Sequence, residues 1–373
     1  MSFKFYCTLN GIHFFYRSVQ YCSSDIWAGN YNSNSTSEMS FLGSKIMDAV
    51  YSQLIEREHL GDADVVYMAG SSAGGLGVLL NIDRISTMLE GYGVAVRGIV
   101  DSAWFLDTTP TQTIKNKPCF SSGVDRCNSN LRDYMKMGLK MWRHRLPVAC
   151  QSLFSPENQW KCLFANNTIH LVTSPVMVVQ FLYDEVQTLV SQMSRPVTLE
   201  DWRHVVWQGG EVRKSLRPLR YVFAPACYSH SALIQPNWFG LASSASYRSM
   251  GEVLECWMYK LDRMLTRKKG RLIITRSPLP PDSRHISLRL SNRCESRALD
   301  GCDDPLCNRS CPKITDPGTG NEMNLFETIM KTDMAAVRSA ANILELDPNR
   351  LSPNDRGLVI RMLVRRSETT DYS

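Results

Sequence analysis

The stretch VVYMAGSSAGGLGVLLN, residues 65–81, constrains the fold of this chain more than any other. A short apolar run leads through small residues into a second apolar run with helical spacing, which predicts a strand, a tight turn and a helix. Three later segments repeat an apolar run that ends in polar residues: GVAVRGIVDS, SPVMVVQFLYDE and RYVFAPACYSH. Strands alternating with helices are typical of a parallel sheet with helices on both faces. We therefore predict an α/β fold of the α/β-hydrolase type with a mostly parallel central sheet.

The chain has 373 residues, 43% of them hydrophobic, which predicts one large domain with an appendage. We assign residues 1–265 to the catalytic domain and 266–293 to a basic, proline-containing linker or loop. A Cys-rich and helical C-terminal segment is expected at 294–352, and a frayed tail at 353–373. Near the N-terminus, IHFFYRSVQ predicts a buried strand, and residues 41–60 predict a helix that Gly61 stops.

The net charge of +6 is mild because Asp and Glu are plentiful, so we expect no nucleic-acid partner. Basic residues concentrate at Arg267, Lys268, Lys269 and Arg271. A solvated linker is the plain interpretation of this run, and binding of heparan sulfate chains is the alternative. No stretch is long enough to span a membrane, so no transmembrane segment is predicted.

Twelve cysteines indicate disulfides and an oxidising compartment. Several are close in sequence: Cys119 with Cys127, Cys150 with Cys162, and Cys302, Cys307 and Cys311. A zinc site is the competing interpretation of the last group together with Cys294, although paired C-x-x-C motifs are absent.

Secretion is the expected localisation from the cysteine content. Three glycosylation sequons, at Asn34, Asn166 and Asn308, agree weakly with it. The first residues, MSFKFYCTLNGIHFFYRS, do not form a signal peptide, because Asn10 and His13 interrupt the apolar core that one requires.

Residues 70–74, Gly-Ser-Ser-Ala-Gly, match the nucleophile elbow G-x-S-x-G and lie between a predicted strand and a predicted helix. This placement selects Ser72 as the nucleophile, and Ser71 as a serine packed at the end of the strand. The N–H of Ala73, at the start of the helix, is then a donor to an oxyanion. A glycine-rich phosphate-binding turn is the alternative, but the lysine of a P-loop is absent.

A serine hydroxyl needs a base, and the base needs an orienting acid. In this fold the acid and the histidine follow the serine, each at the end of a strand. Asp101 and Asp184 both meet that criterion. The acid usually comes from a late strand, which favours Asp184 and leaves Asp101 a structural role. His230, after RYVFAPACYS, is the predicted base. This chemistry requires no metal and no organic cofactor.

Several long motifs resemble the Notum-type carboxylesterases of the pectin acetylesterase-like family. They are YCSSDIWAGN, AGSSAGGLGVLLNID, DSAWFLD, VVQFLYDE and APACYSH, followed by LDGCDDPLCNRSCP and GNEMNL. The resemblance covers roughly residues 19 to 350.

This resemblance implies a secreted enzyme that removes a palmitoleate ester from a serine of Wnt proteins and so silences the signal outside the cell. Ser72, Asp184 and His230 fall on the family's catalytic triad. Four apolar residues match positions that line its acyl pocket: Phe105, Leu163, Phe164 and Val190.

One family feature is not found in this sequence. Family members carry an earlier strand that ends in a Gly-Gly-Trp-Tyr-Cys turn, which supplies further oxyanion donors and a pocket wall. We therefore expect an N-terminally incomplete chain in which Ala73 is the remaining donor. Two alternatives to the esterase stay open: an inactive protein that binds acyl chains or Wnt, and a polysaccharide O-acetylesterase.

Overall fold

A five-stranded parallel sheet forms the centre of the protein. The computed structural model describes residues 5–9, 12–35, 38–107, 131–192, 196, 198–268, 294–305, 307–315, 322–323 and 325–364. Its strands are β1 (Phe5–Leu9), β2 (Ile12–Tyr16), β3 (Val65–Ser71), β4 (Ala95–Asp101), β5 (Val176–Val179), β6 (Tyr183–Asp184), β7 (Val222–Ala224), β8 (Tyr228–Ser229), β9 (Arg297–Leu299), β10 (Ile314–Thr315) and β11 (Glu322–Met323).

The α-helices of the described residues surround this sheet. They are α1 (Gly43–Glu58), α2 (Ala73–Glu90), α3 (Leu131–Trp142), α4 (Val148–Gln151), α5 (Ala165–Thr168), α6 (Glu185–Gln192), α7 (Leu199–Leu216), α8 (Met250–Lys268), α9 (Leu325–Thr332), α10 (Met334–Ile343) and α11 (Pro353–Val364). None of them is long and apolar enough to cross a membrane.

The sheet has the order β3-β4-β5-β7-β9, and every pair in it is parallel. Alternate residues of a strand point to opposite faces of the sheet, so the strands contribute side chains to two apolar cores. Val100 and Val178 belong to the larger core with α2 and α7, whereas Val179 and Phe223 belong to the second core with α8. The predicted α/β fold with a mostly parallel sheet is therefore confirmed.

Two short strands extend the sheet at its carboxyl end. β6 pairs with β8 in parallel, beyond the ends of β5 and β7. The sequence predicts one strand in SPVMVVQFLYDE and one in RYVFAPACYSH, but each segment contains two: β5 and β6 in the first, β7 and β8 in the second. Both predicted partners of Ser72 lie beyond the carboxyl end of the main sheet.

The N-terminal hairpin differs from the sequence-based expectation. β2 pairs with β1 in antiparallel fashion and, within the described residues, joins no other strand. The predicted strand was buried and extended to Tyr21, whereas β2 ends at Tyr16, which is 61% exposed.

α1 ends differently from the prediction. His59 adopts the left-handed conformation that closes the helix, with φ 56°, and its N–H donates to Leu54 O. Gly61 therefore does not stop the helix, and that expectation was wrong. The start of α1 is held by buried Asp25, whose Oδ2 accepts from the N–H of Gly43 at 2.7 Å.

The C-terminal third is built into the sheet and the core. β9, which lies in the predicted Cys-rich segment, pairs with β7 as the fifth strand. α11 lies where a frayed tail was expected, and its residues Val359, Ile360 and Leu363 are buried in the larger core. The tail prediction was therefore wrong for residues 353–364. Most of the predicted linker, residues 269–293, lies outside the described residues.

Four disulfides join eight of the described cysteines: Cys150–Cys162, Cys227–Cys311, Cys256–Cys294 and Cys302–Cys307. The expectation of disulfides is thus confirmed, and Cys150 and Cys162, which are close in sequence, form one of them. Cys119 and Cys127 lie outside the described residues. Because each cysteine of the alternative zinc set is in a disulfide, that set does not hold a metal. Cys22 is exposed and has a free thiol.

The three sequons have different environments. Asn34 is exposed and Asn166 is partly buried. Asn308 is 5% exposed, and its Nδ2 donates to Ala242 O at 2.6 Å and to Asp300 Oδ2 at 2.9 Å. The side-chain amide nitrogen that would carry a glycan at Asn308 is therefore buried and hydrogen-bonded to other residues of the protein.

The turn between β3 and α2 depends on two glycines. A Cβ at Gly70 would collide with the backbone of Gly74. A Cβ at Gly75 would lie 2.7 Å from Ala103 Cβ and 2.9 Å from Asp101 O, so α2 could not approach β4 as closely. A Cβ at Gly74 would meet no atom within 4 Å. Gly70 and Gly75 therefore close the turn, while Gly74 borders open space.

Gly75→Ala is expected to lower the free energy of unfolding by about 1–3 kcal/mol, because the added methyl overpacks a rigid contact. Gly74→Ala is the matched control and is expected to change it by less than about 1 kcal/mol. Urea unfolding monitored by circular dichroism measures both. Equal effects of the two variants would contradict the described packing of the turn.

Ile360→Ala is expected to lower the free energy of unfolding by about 2–4 kcal/mol, because Ile360 is 1% exposed in the larger core. Leu358, on the same helix, is 43% exposed, and Leu358→Ala is expected to cost about 0.5 kcal/mol or less. The same urea titration compares them. A small effect of Ile360→Ala would mean that α11 is not part of the core.

Candidate active site

Ser72 occupies a strained turn between β3 and α2. Its φ of 56° and ψ of −121° lie outside the regions that a non-glycine residue prefers. Its N–H donates to Asp101 O at 2.9 Å, and its carbonyl accepts from the N–H groups of Gly75 and Leu76 at 3.0 and 3.2 Å. Because both sides of the residue are hydrogen-bonded, the turn is held in this conformation, as expected for a nucleophile elbow.

The two serines of the motif differ in their surroundings. Ser71 is the last residue of β3, and its Oγ is buried. Ser72 follows at the apex of the turn. The expectation that Ser71 packs at the end of the strand agrees with this arrangement.

Ala73 is the first residue of α2, a helix of 18 residues. The first N–H groups of a helix have no helical acceptor, and the helix dipole gives this end a partial positive charge. The N–H of Ala73 is therefore placed to donate to an anion that forms beside Ser72.

Asp184 and His230 form a hydrogen-bonded pair. The parallel register of β6 and β8 places Asp184 opposite Ser229, directly before His230. His230 Nδ1 lies 2.8 Å from Asp184 Oδ2 and 3.0 Å from Oδ1. The side chain of Asp184 is 1% exposed and that of His230 12%. Of the two candidate acids, Asp184 is the one that contacts the histidine.

Other donors also hold the Asp184 carboxylate. Oδ1 accepts from the N–H groups of Val186 at 2.9 Å and Gln187 at 3.0 Å, in the first turn of α6. Oδ2 accepts from Gln180 Nε2 at 3.1 Å. An ionised carboxylate accepts from all these groups at once, so Asp184 can orient the imidazole as an anion.

Gln180 was not identified from the sequence. It is 1% exposed, and its Oε1 also accepts from the N–H of Trp104 at 2.9 Å. The sequence signal that could have identified it is a polar residue within the apolar run VVQFLY, four residues before Asp184.

The pKa of His230 is raised above its ordinary value. Burial alone would lower it, but the hydrogen bond that Nδ1–H donates to Asp184 and the negative charges of Asp184, Asp101 and Glu185 outweigh that effect. The surroundings of His230 therefore stabilise the imidazolium that would form after proton transfer from a serine.

The Ser72 turn and the loop after His230 are both hydrogen-bonded to Asp101, at the end of β4. Ser72 N bonds to Asp101 O, and the Asp101 carboxylate accepts from Ala232 N at 3.1 Å and Leu233 N at 3.0 Å, in the loop after His230. Within the described residues, no hydrogen bond joins Ser72 Oγ to His230 Nε2. Such bonds are often long in unliganded enzymes and tighten when substrate binds.

The four residues predicted for an acyl pocket are distributed unevenly. The Phe105 ring lies 6.4 Å from the His230 ring, between centroids. Leu163 and Phe164 are 1% and 0% exposed in the larger core. Val190 is partly buried on α6. The structure thus brings Phe105 beside His230, and the pocket role of all four stays a prediction.

A cavity of about 250 Å³ lies at the other end of the sheet. Pro175, Val176 and Tyr221, at the amino ends of β5 and β7, are among its lining residues. It is therefore separated from Asp184 and His230 by the length of these strands. Among the described residues, no group of three His, Cys, Asp or Glu side chains could hold a metal ion.

This chain is similar in sequence to known esterases. The family model described as Pectinacetylesterase matches residues 15–312. Palmitoleoyl-protein carboxylesterase NOTUM of Mus musculus is 33% identical over 339 residues, which cover 89% of this chain and 61% of the relative. Palmitoleoyl-protein carboxylesterase notum2 of Xenopus laevis is 33% identical over 326 residues, or 86% of this chain and 61% of the relative. NOTUM of Homo sapiens is 32% identical over 339 residues, or 89% and 62%.

The chain spans about three fifths of the length of the curated relatives it matches. The family model covers most of the chain, and the elbow, the acid and the histidine all lie within the matched residues. The chain belongs to the pectinacetylesterase family.

Proposed function

We propose that this protein is a serine carboxylesterase in which Ser72, His230 and Asp184 form the catalytic triad. The observation that carries the proposal is the hydrogen-bonded pair of Asp184, the last residue of β6, and His230, directly after β8. It lies at the same end of the sheet as the strained Ser72 turn. A buried carboxylate bonded to Nδ1 leaves Nε2 as the imidazole nitrogen that can accept a proton.

In the proposed reaction, His230 Nε2 takes the proton of Ser72 Oγ while Oγ attacks the carbonyl carbon of the ester. The negative charge that develops on the carbonyl oxygen is stabilised by the N–H of Ala73. The ester C–O bond then breaks, and His230 returns the proton to the leaving alcohol. Water, activated by the same histidine, hydrolyses the acyl-serine and restores Ser72.

For the substrate, we propose a palmitoleate ester on a serine of a Wnt protein, cleaved outside the cell. The support is the resemblance to Notum-type carboxylesterases, together with relatives named palmitoleoyl-protein carboxylesterases. Phe105, beside His230, is placed to contact an acyl chain. The disulfides are typical of an extracellular protein.

Two other functions have specific support. Among the described residues, Ala73 is the single oxyanion donor identified, which favours a protein that binds acyl chains or Wnt without hydrolysing them. The family description favours a polysaccharide O-acetylesterase. Turnover of medium-chain esters supports the serine carboxylesterase over both of these alternatives. Acetate release from acetylated pectin, without activity on longer esters, supports the acetylesterase.

Binding of heparan sulfate by the basic run 267–271 stays a proposal based on sequence alone. Lys269 and Arg271 lie outside the described residues, and the side chains of Arg267 and Lys268 are also not described.

Ser72→Ala is expected to abolish turnover of a fluorogenic medium-chain ester, because it removes the nucleophile. Its thermal unfolding temperature should match that of the unsubstituted protein. Ser71→Ala is the matched control and should retain turnover, because Ser71 Oγ is buried at the end of β3. Activity that survives in Ser72→Ala, or is lost only in Ser71→Ala, would show that the nucleophile is misassigned.

The rate of ester hydrolysis is expected to rise with pH. His230 must be neutral to act as a base, and its pKa is raised. The midpoint of the pH profile of kcat/KM should therefore lie above the ordinary histidine value of about 6.5. A midpoint at or below that value would contradict the described surroundings of His230.

A further inference from the structure

Asp101 is a buried acid that the proposed triad does not use. It is the last residue of β4 and is 0% exposed. Burial raises the pKa of its carboxyl group, although hydrogen bonds, above all the one from the N–H of Leu233, oppose this effect. A buried carboxylate is costly unless donors compensate it, so the position of those donors indicates what the residue does.

Two backbone donors to Asp101 lie in the loop after His230. Oδ1 accepts from the N–H of Ala232 at 3.1 Å, and Oδ2 accepts from the N–H of Leu233 at 3.0 Å. These residues begin a short 3-10 helix, Ala232–Ile234, which has no side-chain cap of its own residues. Asp101, from a different strand, provides that cap.

Ser102 adds a third bond to the same loop. Its Oγ donates to Asp101 Oδ1 at 2.9 Å and accepts from the N–H of Ser231 at 2.9 Å. The three consecutive N–H groups after His230 are therefore all bound by Asp101 and Ser102. Ser102 and Ser231 both have positive φ, 48° and 62°, so this arrangement is held against local strain.

The main chain of Asp101 holds the nucleophile. Its carbonyl accepts from the N–H of Ser72 at 2.9 Å. One residue thus binds the Ser72 turn through its backbone and the His230 loop through its side chain. A shift of Asp101 relative to either would change the position of the base relative to the nucleophile.

We propose that Asp101 and Ser102 are positioning residues, which fix the His230 loop against the Ser72 turn. The inference rests on the proposed serine esterase function, because it assigns the two residues a task only if His230 activates Ser72.

The charge of Asp101 gives this proposal a separate readout. Asp184, Asp101 and Glu185 are the charged groups that raise the pKa of His230. Loss of the Asp101 charge leaves the other two in place and shifts proton release by His230 to lower pH. This shift reports the loss of the charge, whereas slower labelling in a variant that keeps the charge reports positioning.

The rate at which a fluorophosphonate probe labels Ser72 in the full chain, measured from pH 5 to pH 9, tests the proposal. Both carboxylate oxygens of Asp101 accept hydrogen bonds from backbone N–H groups of the loop. In Asp101→Asn an amide NH₂ replaces one of these oxygens, so two donors face each other and one hydrogen bond is lost. Labelling should slow by roughly 10- to 100-fold, since a displacement of about 1 Å has an effect of this size. The midpoint of its pH profile should move to lower pH.

Two further variants separate positioning from folding. Ser102→Ala frees the N–H of Ser231 but keeps the Asp101 charge, so labelling should slow without a shift of the midpoint. Asp300, also 0% exposed at the end of a strand, accepts from Ala226 N at 2.9 Å and Ser243 Oγ at 2.6 Å. Asp300→Asn should destabilise the fold while keeping the labelling midpoint, which makes it the matched control.

The possible results are distinguishable. If the unsubstituted protein is not labelled at Ser72, the proposed esterase function fails. If it is labelled, and the folded Asp101→Asn and Ser102→Ala variants label at the same rate and midpoint, the positioning role is overturned. If Asp101→Asn does not fold, Ser102→Ala decides: slowed labelling supports the role, and an unchanged rate overturns it.

Discussion

The parallel pairing of β6 with β8, which joins Tyr183 with Tyr228 and Asp184 with Ser229, determines the geometry of the site. Two further backbone hydrogen bonds hold these chain segments together beyond the main sheet. Leu182 N donates to Pro225 O, and Tyr183 N donates to Cys227 O. The pairing places the Asp184 carboxylate within hydrogen-bonding distance of the His230 ring. The disulfide between Cys227 and Cys311 anchors the same segment to the C-terminal part of the chain.

Backbone strain is concentrated at the strand ends that meet in the site. Ser72, Ser102 and Ser231 all have positive φ, although none is glycine. Each has a backbone or side-chain bond to one of the other elements, so the strain is held by contacts between elements. Such arrangements cluster at functional sites because the fold must fix a conformation that local sequence disfavours. The carboxyl edge of the sheet therefore has both the chemical groups and the rigidity that a nucleophile requires.

Much of the fold could be predicted from sequence, because the spacing of apolar residues and the position of a motif between a strand and a helix depend only on nearby residues. The alternation of strands and helices and the Ser72 turn required only neighbouring residues. Asp184 and His230 were identified because polar residues that follow apolar runs collect at one edge of a parallel sheet.

Other features depend on contacts between distant residues and were missed for that reason. The sequence predicts a frayed tail at residues 353–373, yet Ile360 of α11 packs in the larger core. His59 closes α1 although Gly61 is the better intrinsic candidate. The second role of Asp101 was not visible either, because no sequence pattern reports that Ala232 and Leu233 return to the end of β4.

The central claim is that Asp184 and His230 activate Ser72 for attack on an ester. A crystal structure of the chain after reaction with a fluorophosphonate tests it most directly. The account predicts continuous density from Ser72 Oγ to phosphorus, with the phosphoryl oxygen within hydrogen-bonding distance of the Ala73 N–H. It also predicts His230 Nε2 beside the adduct and Nδ1 still bonded to Asp184. An adduct on another residue, or an unmodified Ser72 after prolonged exposure to the probe, would contradict it.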